Sequence, residues 1–412
     1  CRVEKFFLFF DPWFALFKKK IGETEYGVGW LPLGGYVKIS GMIDESMDKE
    51  QLKQPAQPWE FRSKPAWQRL IIMIGGVTVN LLLGFFIFSM ILFTWGEDYL
   101  PAKNLTYGVY VDTLGEKIGI RNGDRIVSVN GKEVQNFNKL SGDFILNEAH
   151  TIQVQRNGQM LDLKVPEGSI RTLINRKGDP LARPAYPAVV DSVLTSKAKF
   201  TQNALQHGDT IIALNGAPVT SYAEFQDKIP PLKNSEITLN VVRPSGDTVE
   251  VKAKTDDKAM VGFRSVSGDK FLKVEHRDYS LIAALPAGVA KGWETLIMNL
   301  KNFKLLFTSK EVKASESLGS FISIGNMFGE QWDWERFWSM TALLSIVLAF
   351  MNILPIPALD GGHVIFTLYE MISGRKPGEK FMEYAQMVGM ILLLLLMAYA
   401  MGLDFWRFLF KS

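Results

Sequence analysis

Three stretches of this chain carry no charged residue: Leu70 to Gly96, Phe337 to Leu359, and Tyr384 to Leu403. Each holds the roughly 20 apolar residues that a membrane helix needs. The long segment between the first two is polar and glycine-containing, like a soluble protein. The second stretch ends in Asn352-Ile353-Leu354-Pro355-Ile356-Pro357-Ala358-Leu359-Asp360-Gly361-Gly362-His363. Two prolines and a Gly-Gly pair predict a break in the helix there. A carboxylate at membrane depth costs at least about 2.5 kcal/mol and marks a functional site by default. Irregular backbone at that depth is tolerated only when shielded by protein or lining a wet cavity. Asp360 is therefore expected to face a polar site. An Asp before Gly-Gly and an apolar run also suits a helix N-cap, and both readings stand.

Period-two alternation marks a second feature. Tyr26, Val28 and Trp30 alternate with small residues, Pro32 to Gly35 form an apolar turn, and Tyr36, Val37 and Ile39 resume the β pattern. The segment reads as a hairpin. Its apolar turn either packs on its neighbours or dips into the membrane under the cover of protein. Residues 44–57 read as an acidic, then Pro/Gln-rich loop. Between 280 and 308, Leu296, Leu300, Phe303 and Phe307 recur at helical spacing after Pro286. This predicts an amphipathic helix, lying on a membrane surface or against the polar segment.

The polar segment contains a repeat. Ile120-Arg121-Asn122-Gly123-Asp124-Arg125-Ile126 through Asn130-Gly131-Lys132 recurs 85 residues later as Leu205-Gln206-His207-Gly208-Asp209-Thr210-Ile211 through Asn215-Gly216-Ala217. Each copy is a Gly-Asp turn, a short strand, then an Asn-Gly turn suited to positive φ. A hairpin follows each, turning at Asn157-Gly158 and at Pro244 to Gly246.

Composition adds little beyond this. With 412 residues the chain is too long for one core. The net charge of +3, with no basic block, gives no sign of a nucleic-acid partner. A single cysteine, Cys1, excludes an internal disulfide framework. Charge placement says more. Arg62, Lys64 and Arg69 precede the first apolar run, Glu97 and Asp98 follow it, and Arg375, Lys376 and Lys380 separate the second and third. The positive-inside tendency then puts residues 1–69 and 374–383 in the cytoplasm and 97–336 outside. Trp332, Trp334 and Trp338 suit an interface belt on the outer side.

The doubled Gly-Asp-x-Ile-x-x-x-Asn-Gly signature resembles PDZ domains in their circularly permuted form, over residues 104–182 and 183–263. The resemblance implies capture of peptide C-termini or extended segments by strand addition, or steric gating. Asn-x-x-Pro-x-x-x-Leu-Asp-Gly-Gly at a membrane helix, with the Leu31-Pro32-Leu33-Gly34-Gly35-Tyr36-Val37 hairpin, Val3-Glu4-Lys5-Phe6 and two PDZ-like units, resembles the bacterial site-2 metalloproteases. That resemblance implies an intramembrane zinc endopeptidase of the bacterial inner membrane, acting on single-pass membrane proteins of the anti-sigma-factor kind within regulated intramembrane proteolysis. It implies Asp360 as a Zn2+ ligand and Asn352 with Pro355 as substrate contacts. Asn352 otherwise serves as a hydrogen-bonding helix stop beside Pro355. It also implies that Tyr26, Val28, Trp30, Tyr36, Val37 and Ile39 pair with the unwound substrate.

The expected fold is a polytopic α-helical membrane protein, mixed α and β, with a re-entrant β-hairpin and two extracytoplasmic PDZ domains. Its order is a membrane-associated β region at 1–69, a transmembrane helix at 70–96, the PDZ pair, an amphipathic helix and linker at 280–336, a transmembrane segment with the Leu-Asp-Gly motif at 337–373, and a last helix at 384–403. One departure stands out. The family's other two zinc ligands and its general base come from a His-Glu-x-x-His helix, and this sequence contains none. Its histidines are His150, His207, His276 and His363. The family's order of motifs puts that helix just upstream of Cys1, so the chain reads as an N-terminally truncated, inactive fragment of an enzyme. A non-catalytic membrane scaffold that binds peptides through its PDZ-like units is the competing reading.

Overall fold

The structure, a computed structural model, describes residues 1–31, 34–42, 55–176, 179–194, 199–309 and 332–410, with Gly325 and Phe328. The chain divides into two compact units. One comprises residues 1–94, 280–300 and 318–412, the other 95–279 and 301–317. The turn residues Pro32 and Leu33, most of the expected 44–57 loop and most of the linker before Trp332 lie outside the described residues.

The first unit opens with a four-stranded sheet of β1 (Val3–Phe7), β2 (Phe10–Ile21), β3 (Thr24–Leu31) and β4 (Tyr36–Ile39), in the order β2-β3-β1-β4. The strands expected at Tyr26–Trp30 and Tyr36–Ile39 form, but they do not make a hairpin with each other. β1 lies between them, parallel to β3 (Lys5↔Glu25) and antiparallel to β4 (Phe6↔Val37). Two strand spacings are about 10 Å, which the four residues 32–35 bridge easily, since about 3.3 Å per residue is available. The true hairpin is β2–β3, turning at Gly22-Glu23, with Ile21 paired to Thr24. β2 escaped the alternation test because its register shifts twice, around Ala15, and Trp13 has a φ of +72°. Such bulges break the period of two.

The first apolar run forms α1 (Ala66–Trp95), which starts one turn before the charge-free stretch. The chain then enters the second unit through β5 (Glu97–Tyr99) and, at its far end, leaves it after β19 (Glu275–Arg277), which pairs with β5. Between them lie two halves that share a strand-strand-helix-strand-strand order and differ in the elements around it. The first half has β6 (Val109–Tyr110), α2 (Thr113–Ile118), β7 (Arg125–Val129), β8 (Lys132–Glu133), α3 (Leu140–Leu146), β9 (Thr151–Arg156), β10 (Gln159–Lys164), α4 (Ser169–Asn175) and β11 (Arg183–Pro184). The second half has β12 (Ala188–Val193), β13 (Phe200–Gln202), β14 (Thr210–Leu214), β15 (Ala217–Pro218), α5 (Tyr222–Lys228), β16 (Glu236–Val242), β17 (Thr248–Lys254) and β18 (Phe263–Ser265).

Each half encloses its own core. Ile126, Phe144 and Ile152 are buried in the first, Ile211, Leu239 and Val251 in the second. The Asn-Gly turns do what their sequence predicts. Asn130 and Gly131 have φ of +49° and +76°, Asn215 and Gly216 +51° and +78°. Asp124 and Asp209 are buried, and each accepts a 2.8 Å bond from the backbone N–H three residues earlier, tying its Gly-Asp turn.

The C-terminal part returns to the first unit. α6 (Leu281–Thr308) contains Pro286 and begins before it rather than after. α7 (Trp334–Ile353), α8 (Asp360–Ser373) and α9 (Glu379–Phe410) follow. Among the described residues, four helices are long and apolar enough to cross a membrane: Ala66–Trp95, Leu281–Leu305, Trp334–Ile353 and Lys380–Leu403. The sequence pattern singles out three. The fourth is the segment read as amphipathic, and its mean hydropathy of 1.2 is the lowest of the set. It packs on α1, where a Cβ on Gly288 would meet Ser89 at 2.2 Å.

Candidate functional site

The predicted break is present. α7 stops at Ile353, the chain runs extended and turned through 354–359, and α8 starts at Asp360. Pro355 and Pro357 have no N–H to continue a helix. The turn is held by backbone bonds instead: Leu354 N–H to Met351 O (3.2 Å), Leu359 N–H to Ile356 O (3.1 Å) and Gly362 N–H to Leu359 O (3.0 Å). Asn352, Pro355 and Asp360 are thus gathered in one loop and its two flanking turns.

Asp360 is half-buried, and it is the first residue of α8 rather than its cap. Leu359 occupies the cap position, and no side-chain capping bond is made. Among the described residues the Asp360 carboxylate has no hydrogen-bond or ion-pair partner. Its Oδ2 points at α1, 3.7 Å from where a Cβ on Gly76 would stand. The Gly75-Gly76 pair of α1 therefore leaves room beside the carboxylate. Asn352 also makes no side-chain bond to the backbone near Pro355 among the described residues, so it is not the helix stop.

The β residues fall in a different place from the one expected. Tyr26, Val28 and Trp30 sit on β3, an inner strand, while Tyr36, Val37 and Ile39 sit on β4, whose outer edge is open. Several of these side chains hold the sheet together. Trp30 stacks on Trp13 and Phe14 and donates its Nε1–H to Pro12 O at 2.9 Å. Tyr36 stacks between Phe7 and Phe10 and donates its hydroxyl to Asp11 Oδ1 at 2.7 Å. Tyr26 lies 5.8 Å from Phe6, ring to ring.

Two supports of the site carry weak signals in the sequence. Gly389, one of two glycines in α9, packs its backbone against Pro357. Arg69 and Glu370 form a largely buried pair at 2.5 Å that ties α1 to α8.

The metal test gives a clear result. Among the described residues no three His, Cys, Asp or Glu side chains converge as a metal site. Asp360 offers one oxygen donor, and a catalytic zinc needs about three protein ligands with an open position for water. The described residues do not complete a zinc site by themselves.

A carboxylate presented by a broken apolar helix beside a second apolar helix fits a membrane metallopeptidase. The chain belongs to Peptidase family M50, whose model matches residues 1–396. Among its relatives is the regulator of sigma-E protease RseP of Escherichia coli, 27% identical over 98% of this chain and 92% of its own length. The regulator of sigma E protease of Haemophilus influenzae is 25% identical over 93% of this chain and 87% of its own. A Neisseria meningitidis relative, 26% identical over 95% of this chain and 90% of its own, carries zinc metalloprotease in its name.

Proposed function

We propose that this chain is the body of an intramembrane zinc metalloendopeptidase that cuts single-pass membrane proteins of the anti-sigma-factor kind. The observation that carries the reading is Asp360: a half-buried carboxylate without a partner among the described residues, presented by a broken apolar helix in a member of Peptidase family M50. Asp360 serves as one zinc ligand. A catalytic zinc there needs further protein donors and a general base, which the described residues do not bring to Asp360. Asn352 and Pro355 contact the substrate backbone near the scissile bond. An unwound substrate adds to the sheet at the open edge of β4, along Tyr36, Val37 and Ile39. Tyr26, Val28 and Trp30 act behind that edge, by holding β3.

Residues 104–182 and 183–263 are read as PDZ domains. The matched order of strands and helices in the two halves supports this, as does β18 ending its sheet with one free edge. They stand outside the inner membrane of a bacterium, and either capture peptide ends or exclude untrimmed substrates. The cations before α1 and the acids after it support that orientation. α1, the 337–373 segment and α9 cross the membrane, and α6 packs along α1. The scaffold reading is disfavoured by the family assignment.

The test is Asp360→Ala in the full-length protein. Cleavage of a pre-trimmed substrate should vanish and bound zinc should fall; unchanged zinc content refutes the ligand role.

A further inference from the structure

The loop that presents Asp360 is gripped from outside its own segment. A Cβ on Gly389, within α9, would fall 1.8 Å from the carbonyl oxygen of Pro357 and 2.4 Å from its carbonyl carbon. Real Cβ atoms essentially never come within 3.0 Å of another heavy atom. The obstacle is backbone, so it cannot swing aside as a side-chain tip would. Two glycines of α8 make similar approaches from within: a Cβ on Gly361 would meet Leu354 O at 2.1 Å, and one on Gly362 would meet Ile356 O at 2.8 Å. The gripped loop is also strained. Ala358 has a φ of +81°, in the left-handed region that a Cβ disfavours. Such strain, on the order of 1–3 kcal/mol, persists only where the surroundings over-determine the backbone, and it concentrates at functional sites.

Gly389 is not explained by its own helix. A glycine in a helix interior costs about 1 kcal/mol relative to alanine. Gly402 lies on the same helix with nothing within 4 Å of its Cβ position, so close approach is specific to residue 389.

We propose that Gly389 is a positioning residue. It lets the α9 backbone seat on Pro357, and this contact holds residues 354–359 in the strained form that aims Asp360. Gly389 itself touches no reacting atom. The proposal rests on the reading of Asp360 as part of the catalytic centre.

The experiment uses the full-length protein with Cys1→Ser and a reporter thiol, Ile356→Cys, in the loop. Gly389→Ala should raise the alkylation rate of that thiol several-fold. Without the reporter, it should lower kcat about a hundredfold, the scale expected of a displacement near 1 Å, with KM little changed. Gly402→Ala should do neither. If Gly389→Ala does not accumulate, Ala358→Gly is the second variant. It relieves the strain that the contact with Gly389 opposes, so the clamped form is favoured and alkylation of the reporter thiol should slow. An unchanged alkylation rate overturns the clamp, and faster alkylation with wild-type kcat overturns the positioning role. Equal losses in Gly389→Ala and Gly402→Ala reduce the effect to general helix packing and overturn it as well. If Asp360→Ala retains cleavage, the reading of Asp360 fails, and alkylation still judges the clamp separately.

Discussion

The two halves of the second unit solve the same electrostatic problem unequally, and the difference predicts a measurable gap. In the first half Arg156 grips buried Asp124 with two bonds, Nε to Oδ1 at 2.8 Å and Nη2 to Oδ2 at 2.7 Å. Its Nη2 also reaches Gly119 O at 2.7 Å. In the second half Arg243 Nε stops 4.0 Å from Asp209 Oδ1, and both atoms are buried without a hydrogen-bond partner. Arg156→Met strands the Asp124 carboxylate with one backbone bond, from Arg121. Breaking a buried pair by removing one partner costs about 3–5 kcal/mol. The Arg156 side chain is 20% exposed, so water can reach the gap, and the lower end of about 3 kcal/mol applies. Arg243→Met removes a weaker contact and should cost about 1 kcal/mol or less. Residues 95–279 enclose both cores and serve as a soluble test piece. At about 2–4 °C per kcal/mol for a segment of this size, Arg156→Met should lower its melting temperature by about 6–12 °C and Arg243→Met by under about 4 °C. Thermal melts followed by circular dichroism decide the matter. Equal shifts for the two variants would refute the reasoning, as would a shift under about 2 °C for Arg156→Met.

Two further outcomes follow from the same unit. Deleting residues 104–263 from the full-length protein should widen the range of membrane substrates cut while leaving cleavage of a pre-trimmed one intact; loss of that turnover contradicts gating. His276 is held by Asp98 Oδ1 at 2.5 Å and by Asp278 Oδ1 at 3.1 Å, and these bonds raise its pKa. A raised folded value means the stabilisation is fully present below the unfolded pKa, about 6.5, and is lost as pH climbs through the folded one. Amide protection across β5 and β19 should therefore fall from pH 6 to pH 9, and His276→Gln should flatten the dependence; greater protection at pH 9 argues against it.

The sequence was most legible where the signal is local. Charge-free runs gave α1, α7 and α9, because twenty uncharged residues have few alternatives to a helix. The repeat was legible because its Asn-Gly and Gly-Asp turns demand particular backbone angles. Pro355 and Pro357 announced the loop before Asp360. Pairing was not legible. That β1 inserts between β3 and β4 depends on contacts distant in sequence, and hydrophobic alternation assigns faces to a strand without naming its neighbour. β2 was hidden by its bulges. Gly389 carried only the faint sign of a glycine inside an apolar helix, a sign that Gly402 shares, and its partner Pro357 lies 32 residues away.

The magnitudes around Asp360 point to one more outcome. An ionised carboxylate at membrane depth costs at least about 2.5 kcal/mol. Its place at the first position of α8 returns part of this, since a helix N-terminus favours an anion by about 0.3–1 kcal/mol and at most about 2. The carboxylate has no side-chain partner among the described residues to supply the rest. A bound cation would close the gap, and without one the charge is a net burden on the fold. Asp360→Asn keeps the shape and removes the charge. In the 412-residue chain, held in lipid bilayers, it should raise resistance to denaturant by about 0.5–2 kcal/mol, the shortfall left by those two terms. In the full-length protein the same substitution should abolish cleavage. If Asp360→Asn instead weakens the isolated chain, the carboxylate is already satisfied within these 412 residues and the case for a metal at this position fails.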